Sequence, residues 1–290
     1  MGDMEEDRVY DAPSGEETAY VANDLGVGAA SVSLASGRVG RFSLDRQCGA
    51  RDLAAAEGWV AVATDEDVLV RTPGGEYVET GFGPADAVGF DRGPPLDLLA
   101  ASPAAEIGRI VDLAEDPTEW LAIADVDAPV RAIEGPFVAA ADGVYRASPD
   151  SLNDTGLDDA RDVSTPGVPL VATGDGLYRL GAGWMRELDG PADAVAADPT
   201  TEGGTFGRAF AVVDGRLYEH DPETGTGSDA EDSTAGDWEE RSTPESPVVD
   251  VAFGENAYAI TASGTLLVDA GNGWEYRSIG LADPVGVAVP

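Results

Sequence analysis

The sequence predicts an all-β protein, a seven-bladed β-propeller whose blades are four-stranded antiparallel sheets. Two observations predict this fold. Short apolar runs rich in Val, Ala and Tyr are separated by Gly, Pro, Asp and Asn, which is the pattern of short strands joined by tight turns. Similar turn sequences then recur seven times at a spacing of about 40 residues, as the blades of a propeller do.

The repeated turn is clearest in the second half of the chain. Asp142-Gly143 begins one copy and Asp175-Gly176 begins another, and each is followed by an apolar residue, a tyrosine and an arginine. An Asp-Gly step supplies the positive φ angles of a tight hairpin, so the flanking apolar runs are predicted to be paired strands. Looser copies complete the series, and the seven turns begin at residues 24, 65, 106, 142, 175, 214 and 263.

Each unit divides into four strands in the same way. In the fifth unit the inner strand is expected at 162–164, the second at 169–173, the third at 176–180 and the outer strand at 184–188. Trp184 begins that outer strand, and Trp238 and Trp274 begin the outer strands of the last two units. Tryptophan is bulky and apolar, so the five tryptophans are interpreted as wedges between blades rather than as a ligand cage.

Residues 284–289 are expected to close the ring. They repeat the inner-strand pattern of residues 191–196 and have no further blade after them, so they are predicted to complete the first blade, whose other strands lie near 18–47. Residues 8–12 could fill the same slot, and the sequence does not decide between the two. The whole chain, 1–290, is predicted to be one propeller domain with a disordered tail at residues 1–7.

The charge predicts a protein adapted to very high salt. The net charge is −38, from 55 carboxylates against 17 basic residues that are all arginine. Molar salt shortens the Debye length to ~3 Å and removes most of the repulsion that such a surface creates. Nucleic acid is excluded as a partner because phosphate binding needs a basic face.

The remaining composition bears on location and partners. No apolar run approaches the length of a transmembrane helix, and the acidic first residues lack the apolar segment of a secretory signal. We therefore expect a cytoplasmic protein with no membrane partner, a monomer that binds another protein.

Two resemblances follow from the repeated turns. The turns at Asp142-Gly143, Asp175-Gly176 and Ser263-Gly264, followed in two cases by Gly-Trp, resemble degenerate Asp-box repeats. Such repeats occur in sialidase-like and assembly-factor propellers, and this resemblance covers only the last four blades. The whole chain, with its acidic bias, also resembles an uncharacterised family of haloarchaeal β-propellers. Neither resemblance implies an activity, because the Asp-box is a structural turn and no catalytic residues can be matched.

One group of residues is a candidate site at the mouth of the central channel. Alignment of the inner strands places six charged residues and one glycine at the same position. They are Asp52, Asp86, Arg131, Asp162, Asp193, Asp250 and Gly286. The favoured interpretation is structural, since aspartate often accepts backbone N–H bonds at the start of a strand. The alternative is that the five aspartates bind Ca²⁺ or Mg²⁺, which prefer oxygen ligands.

Other chemistry is scarce. His220 is the only histidine and Cys48 the only cysteine, so a Cys/His zinc site is excluded. His220 is expected to be a surface residue at the end of a third strand, and Cys48 a half-buried small residue between blades. Residues 221–237 are predicted to form a mobile acidic loop rather than a calcium loop, because their spacing does not match calcium ligands.

These residues favour a non-catalytic protein-interaction or ligand-binding scaffold that needs no cofactor. The alternative is a metal-dependent hydrolase that acts at the channel mouth with bound Ca²⁺ or Mg²⁺. An exposed apolar or aromatic patch on one face would favour the scaffold.

Overall fold

The predicted seven-bladed propeller is confirmed. A computed structural model describes residues 15–222, 238–244, 246–271 and 273–290. These residues form seven four-stranded antiparallel sheets, which we number as blades 1 to 7 along the chain. Among them there is no helix that is long and apolar enough to cross a membrane.

The blades follow the chain in order. Blade 1 contains β1 (Glu16–Asn23), β2 (Gly26–Ser33) and β3 (Val39–Arg46), and blade 2 contains β4 (Ala50–Ala56), β5 (Trp59–Thr64), β6 (Val68–Arg71) and β7 (Tyr77–Glu79). Blade 3 contains β8 (Ala87–Asp91), β9 (Asp97–Ala101), β10 (Glu106–Ile110) and β11 (Leu121–Asp125), and blade 4 contains β12 (Val130–Glu134), β13 (Phe137–Ala140), β14 (Gly143–Ser148) and β15 (Ser151–Asp154). Blade 5 contains β16 (Ala160–Ser164), β17 (Leu170–Thr173), β18 (Gly176–Leu180) and β19 (Trp184–Asp189), and blade 6 contains β20 (Ala192–Ala197), β21 (Ala209–Val213), β22 (Arg216–His220) and β23 (Trp238–Arg241). Blade 7 contains β24 (Val248–Phe253), β25 (Ala257–Thr261), β26 (Thr265–Asp269) and β27 (Trp274–Ser278), and β28 (Gly286–Ala288) returns to blade 1.

The ring is closed by β28, as the sequence predicted. This strand pairs antiparallel with β1, and Val287 lies opposite Val21. It therefore occupies the inner-strand position of blade 1. The alternative strand, residues 8–12, and the predicted tail, residues 1–7, lie outside the described residues. So does the predicted acidic loop, except for Asp221 and Pro222 at its start.

The core of the molecule is divided among the gaps between blades. Each of the seven gaps holds its own cluster of buried side chains, made mostly of Ala, Val, Leu and Ile from two neighbouring sheets. The second strands are buried along nearly their whole length; β13, β17, β21 and β25 have no exposed residue. Because a middle strand has a neighbouring blade on each side, it needs apolar residues at every position rather than in alternation.

The five tryptophans lie where the wedge interpretation places them. Trp59 and Trp120 pack against the cluster between blades 2 and 3, and the others pack against three further clusters. Trp184 also donates a hydrogen bond from its ring nitrogen to the carbonyl of Thr155, 2.9 Å away on the preceding blade. Each ring therefore stabilises a contact between blades.

One face of the ring carries both the hairpin turns and the starts of the inner strands. In five blades the turn between the second and third strands donates a backbone bond to the residue just before the inner strand. These bonds run from the N–H of the first residue to the carbonyl of the second in the pairs Asp65–Gly49, Ala141–Pro129, Gly174–Asp159, Asp214–Pro191 and Ala262–Pro247. We call this surface the upper face.

Candidate functional site

The candidate channel residues occupy two positions rather than one. The inner strands of blades 2, 4, 5, 6 and 7 each contain a register shift near their start, so that one extra residue is inserted opposite the second strand. Such a β-bulge re-aims the side chain at the extra residue. The sequence alignment is therefore corrected by one residue for Asp86, Arg131 and Asp193, which lie at the inserted position or just before the strand.

Three of the candidate aspartates remain in register with one another. Asp52, Asp162 and Asp250 each follow the inserted residue of their own inner strand. Gly286 holds the same place in blade 1, opposite Ala22 on β1. All three carboxyl groups line the central channel, which encloses about 150 Å³.

Each of these three carboxyl groups connects two neighbouring blades. One oxygen of Asp250 accepts the N–H of Val251 at 2.8 Å, and the other accepts the N–H of Val287 on blade 1 at 2.7 Å. The corresponding donors are Leu53 and Val88 for Asp52, and Val163 and Val195 for Asp162. A buried backbone N–H that lacks a partner is costly. The inner strands lie at the edges of their sheets, so each carboxyl group satisfies donors that no further strand pairs with.

Burial makes these carboxyl groups hard to ionise. It raises the pKa of Asp52 to about 6 and that of Asp250 to about 7, although the two backbone bonds act in the opposite direction. The pKa of Asp162 is raised well above its ordinary value by burial and then by the negative charge of Asp250. Because a buried charge without a counter-ion is disfavoured, the channel favours neutral carboxyl groups.

The residues at the inserted position form an ionic belt around the channel mouth on the upper face. Arg51 lies 2.6 Å from Asp86 on the next blade. Arg131 contacts Asp159 at 2.6 Å, and Arg161 contacts both Asp159 at 3.5 Å and Asp193 at 2.5 Å. The belt spans blades 2 to 6, where the candidate residues Asp86, Arg131 and Asp193 are thus neutralised in pairs. Blades 7 and 1 carry Val249 and Val285 at this position.

The opposite end of the channel holds a second, smaller polar group. Arg92 donates a hydrogen bond to the carbonyl of Ala55 at 3.1 Å, and Glu134 accepts the N–H of Thr165 at 3.1 Å. Burial raises the pKa of Glu134, and the positive charge of Arg92 opposes that shift. Nowhere in the described part of the chain are three His, Cys, Asp or Glu side chains grouped so that they could hold a metal ion.

His220 is not the surface residue that the sequence indicated. It ends β22 as expected, but only 3% of it is exposed. Its ring stacks on Phe206 with centroids 3.7 Å apart, and its Nδ1 lies 2.8 Å from the carbonyl oxygen of Gly207. The imidazole is therefore a packed core group without access to a substrate. Cys48 is half-buried between blades 1 and 2, and burial raises the pKa of its thiol, which disfavours the reactive thiolate.

An exposed apolar cluster lies on blade 1, where the sequence analysis found no site. Leu25 is 68% exposed, Leu44 61% and Val285 41%. Val285 donates a backbone bond to Ala22, three residues before Leu25. A Cβ atom placed on Gly26 would lie 3.0 Å from the Leu44 side chain, so Leu44 lies beside the same turn. We call these three residues the blade-1 cluster.

A family profile matches nearly the whole chain. The profile describes an HVO_0234-like β-propeller, and it matches residues 3–290. The chain belongs to this family. No curated protein matches its sequence.

Solved structures show the same fold for members of other groups. The WD40 domain of Pan2 from Neurospora crassa is similar with a TM-score of 0.60 and 11% identity, over 92% of this chain and 87% of that one. Apo AztD from Citrobacter koseri is similar with a TM-score of 0.55 and 9% identity, over 95% and 98% of the two chains. YCF48 bound to D1 peptide is similar with a TM-score of 0.56 and 13% identity, over 80% and 83%. At these identities the similarity shows the fold alone.

Proposed function

We propose that this family member is a non-catalytic scaffold that binds another protein on its upper face, at the blade-1 cluster. It acts in this proposal as a cytoplasmic monomer without a cofactor. The described residues support a binding role because the titratable groups that could have been catalytic are occupied. The channel aspartates accept backbone N–H bonds, the belt residues are paired with one another, and His220 is packed in the core.

The blade-1 cluster is the observation that carries this proposal. Six large apolar side chains of the described chain are more than two-fifths exposed, and three of them belong to this cluster; the others are Val111, Leu121 and Tyr276. Single exposed apolar residues are common, but neighbouring ones on a highly charged surface indicate a binding site. The cluster is flanked on one side by the ionic belt, so an apolar centre lies beside a polar rim, as in protein interfaces.

The experiment is affinity purification of the tagged protein from its own cells in molar KCl, followed by mass spectrometry. We expect a stoichiometric partner with the parent protein and its loss with the variant Leu25→Ser. The variant Leu121→Ser, which changes another exposed leucine, 51% exposed on blade 3, is the matched control and should retain the partner. A partner that is retained by Leu25→Ser and lost by Leu121→Ser would overturn the location, and no partner in any sample would overturn the proposed function.

A further inference from the structure

We infer that the blade-1 cluster accepts a cationic protein segment in which one aliphatic or aromatic side chain is flanked by Lys or Arg. This inference rests on the proposed scaffold function and names the chemistry of the partner. It follows from the way the cluster is held and from the charges that surround it.

The apolar centre is held in a fixed shape. The Nδ2 of Asn23 donates to the carbonyl of Ala282 at 3.0 Å, and its Oδ1 accepts the N–H of Leu25 at 2.9 Å. Asn23 is itself buried. It therefore joins the β1–β2 turn to the segment that leads into β28, which carries Val285. A surface that is ordered before binding loses little conformational entropy when a partner docks.

Exposed carboxylates lie next to this centre. The nearby cation, Arg46, follows Leu44 by two residues, but its guanidinium lies over the Tyr77 ring and 3.8 Å from Glu79 on blade 2. Asp24 is adjacent to Leu25, and Asp283 lies two residues before Val285; both are exposed and neither forms an ion pair among the described residues. Asp65 and Glu66 form the neighbouring turn of blade 2, where the Asp65 N–H bonds to Gly49 in the connection that follows Leu44. In the ionic belt, by contrast, Asp86, Asp159 and Asp193 each have an arginine partner.

These unpaired carboxylates decide which partner fits. A neutral apolar partner would remove them from water without compensation, which is costly. A cationic partner replaces the lost water with charge-assisted hydrogen bonds, which act at contact distance. A second copy of this chain would bring the same carboxylates to the contact and supply no cation for them, and nucleic acid and anionic lipid are likewise anionic.

The test uses synthetic peptides as probes. A labelled peptide with a central Leu and two Arg on each side is titrated against the full-length protein by fluorescence anisotropy in about 1 M KCl, where the protein is expected to be folded. Two further peptides replace the central Leu by Ser or the four Arg by Glu. We expect the Arg-Leu peptide to bind at least tenfold more tightly than the Arg-Ser peptide, because the apolar anchor supplies most of the affinity, and the Glu peptide not to bind.

Variants of the protein separate the two parts of the site. Leu25→Ser should weaken binding of the Arg-Leu peptide at least tenfold, and the double variant Asp24→Asn/Asp283→Asn should weaken it several-fold and reduce its dependence on salt. The matched control is Asp127→Asn/Asp214→Asn, which removes the same charge from exposed positions in the connection between blades 3 and 4 and in a turn of blade 6, and it should leave binding unchanged. All of these side chains are exposed, so folding is checked by circular dichroism and is expected to persist.

The outcomes distinguish this inference from the proposed function. Equal binding of the Arg-Leu and Arg-Ser peptides, or equal effects of the two double variants, would show that the binding is general charge attraction. Either result would overturn the inference. Preference for the Glu peptide, or no binding of any peptide, would overturn it as well. If purification nevertheless yields a partner that depends on Leu25, the scaffold function stands without this partner chemistry.

Discussion

At the scale of single residues, the channel aspartates have a role that a simple turn cap does not. Each of Asp52, Asp162 and Asp250 uses both oxygens, one for its own strand and one for the next blade. Asparagine has only one acceptor oxygen and would direct an N–H₂ group at the second donor. The sequence predicted a structural role for these aspartates within their own turns. The structure adds a second role, the bond to the next blade, which a local sequence pattern cannot reveal.

Replacing one of these aspartates should cost measurable stability. At pH 5 we expect Asp250→Asn to lower the free energy of unfolding by about 1–3 kcal/mol, because the N–H of Val287 loses its acceptor. The control is Asp193→Asn, whose carboxylate is half exposed in an ion pair with Arg161 and should contribute about 1 kcal/mol or less. Denaturant unfolding at constant KCl measures both values, and equal costs would contradict the role between blades.

The same variant should reveal a dependence on pH. The pKa of Asp250 is about 7 in the folded protein and near its ordinary 3.8 when unfolded, so the unfolded carboxyl ionises first as pH rises. Its contribution to stability is full below pH 4 and is lost progressively up to about pH 7, by on the order of 4 kcal/mol. Parent and Asp250→Asn should therefore converge in stability from pH 5 to pH 8. A difference that is independent of pH would show that this carboxyl group titrates normally.

Binding of Ca²⁺ or Mg²⁺ by the five aspartates remains a testable alternative. Because three of them bond to backbone and two to arginine, we expect millimolar metal at constant KCl to leave the melting temperature unchanged. Differential scanning fluorimetry of the parent and Asp250→Asn gives the comparison. A rise in the parent alone would restore the metal site.

At the scale of elements, the hairpins could be predicted from sequence and the bulges could not. Asp142-Gly143 and Asp175-Gly176 do mark their turns, but the expected positive φ is wrong there, since neither glycine adopts it. Of the Asp-Gly turns only Asp214-Gly215 does, with φ angles of 52° and 71°. A bulge inserts one residue, and Arg161-Asp162 would fit an alignment equally well in either register. Only the pairing of β16 with β17 decides which of the two side chains enters the channel.

The closing strand gives a prediction at this scale. Deleting residues 284–290 removes β28, the bond from Val287 to Asp250 and part of the cluster between blades 7 and 1. We expect loss of cooperative unfolding and a melting temperature lower by more than 10 °C, since several kcal/mol are lost. Deleting only Pro290, which is exposed, should change neither. Unaltered melting of the longer deletion would mean that another segment closes the ring.

At the scale of the whole molecule, the repeated turns in the sequence were enough to predict the fold. They were not enough to predict sites formed by residues that are far apart in the chain. His220 is buried because Phe206 and Trp238 pack around it. The blade-1 cluster brings Leu25 next to Val285 only through closure of the ring. Repeated turns reveal how many blades exist, but proximity between the first blade and the last strand depends on the completed ring.

The total charge predicts the response to salt. With 55 carboxylates and 17 arginines, lowering KCl from 2 M to 0.1 M should lower the melting temperature by tens of degrees, because screening of the repulsion is lost. Molar sucrose in 0.1 M KCl is the control, since it favours the compact state without screening charge, and should restore only a small part of the loss. Equal melting temperatures at both KCl concentrations would contradict adaptation to high salt.

The hydrogen bond from Asn23 to Ala282 joins groups that are 259 positions apart. At a translation rate of roughly 5–20 residues per second, β1 waits on the order of 13–50 s for its inner neighbour to be synthesised. During that interval its inner edge presents unpaired backbone groups that another strand could join. The ring thus assembles as an open arc whose first edge is at risk of aggregation until the last blade is made.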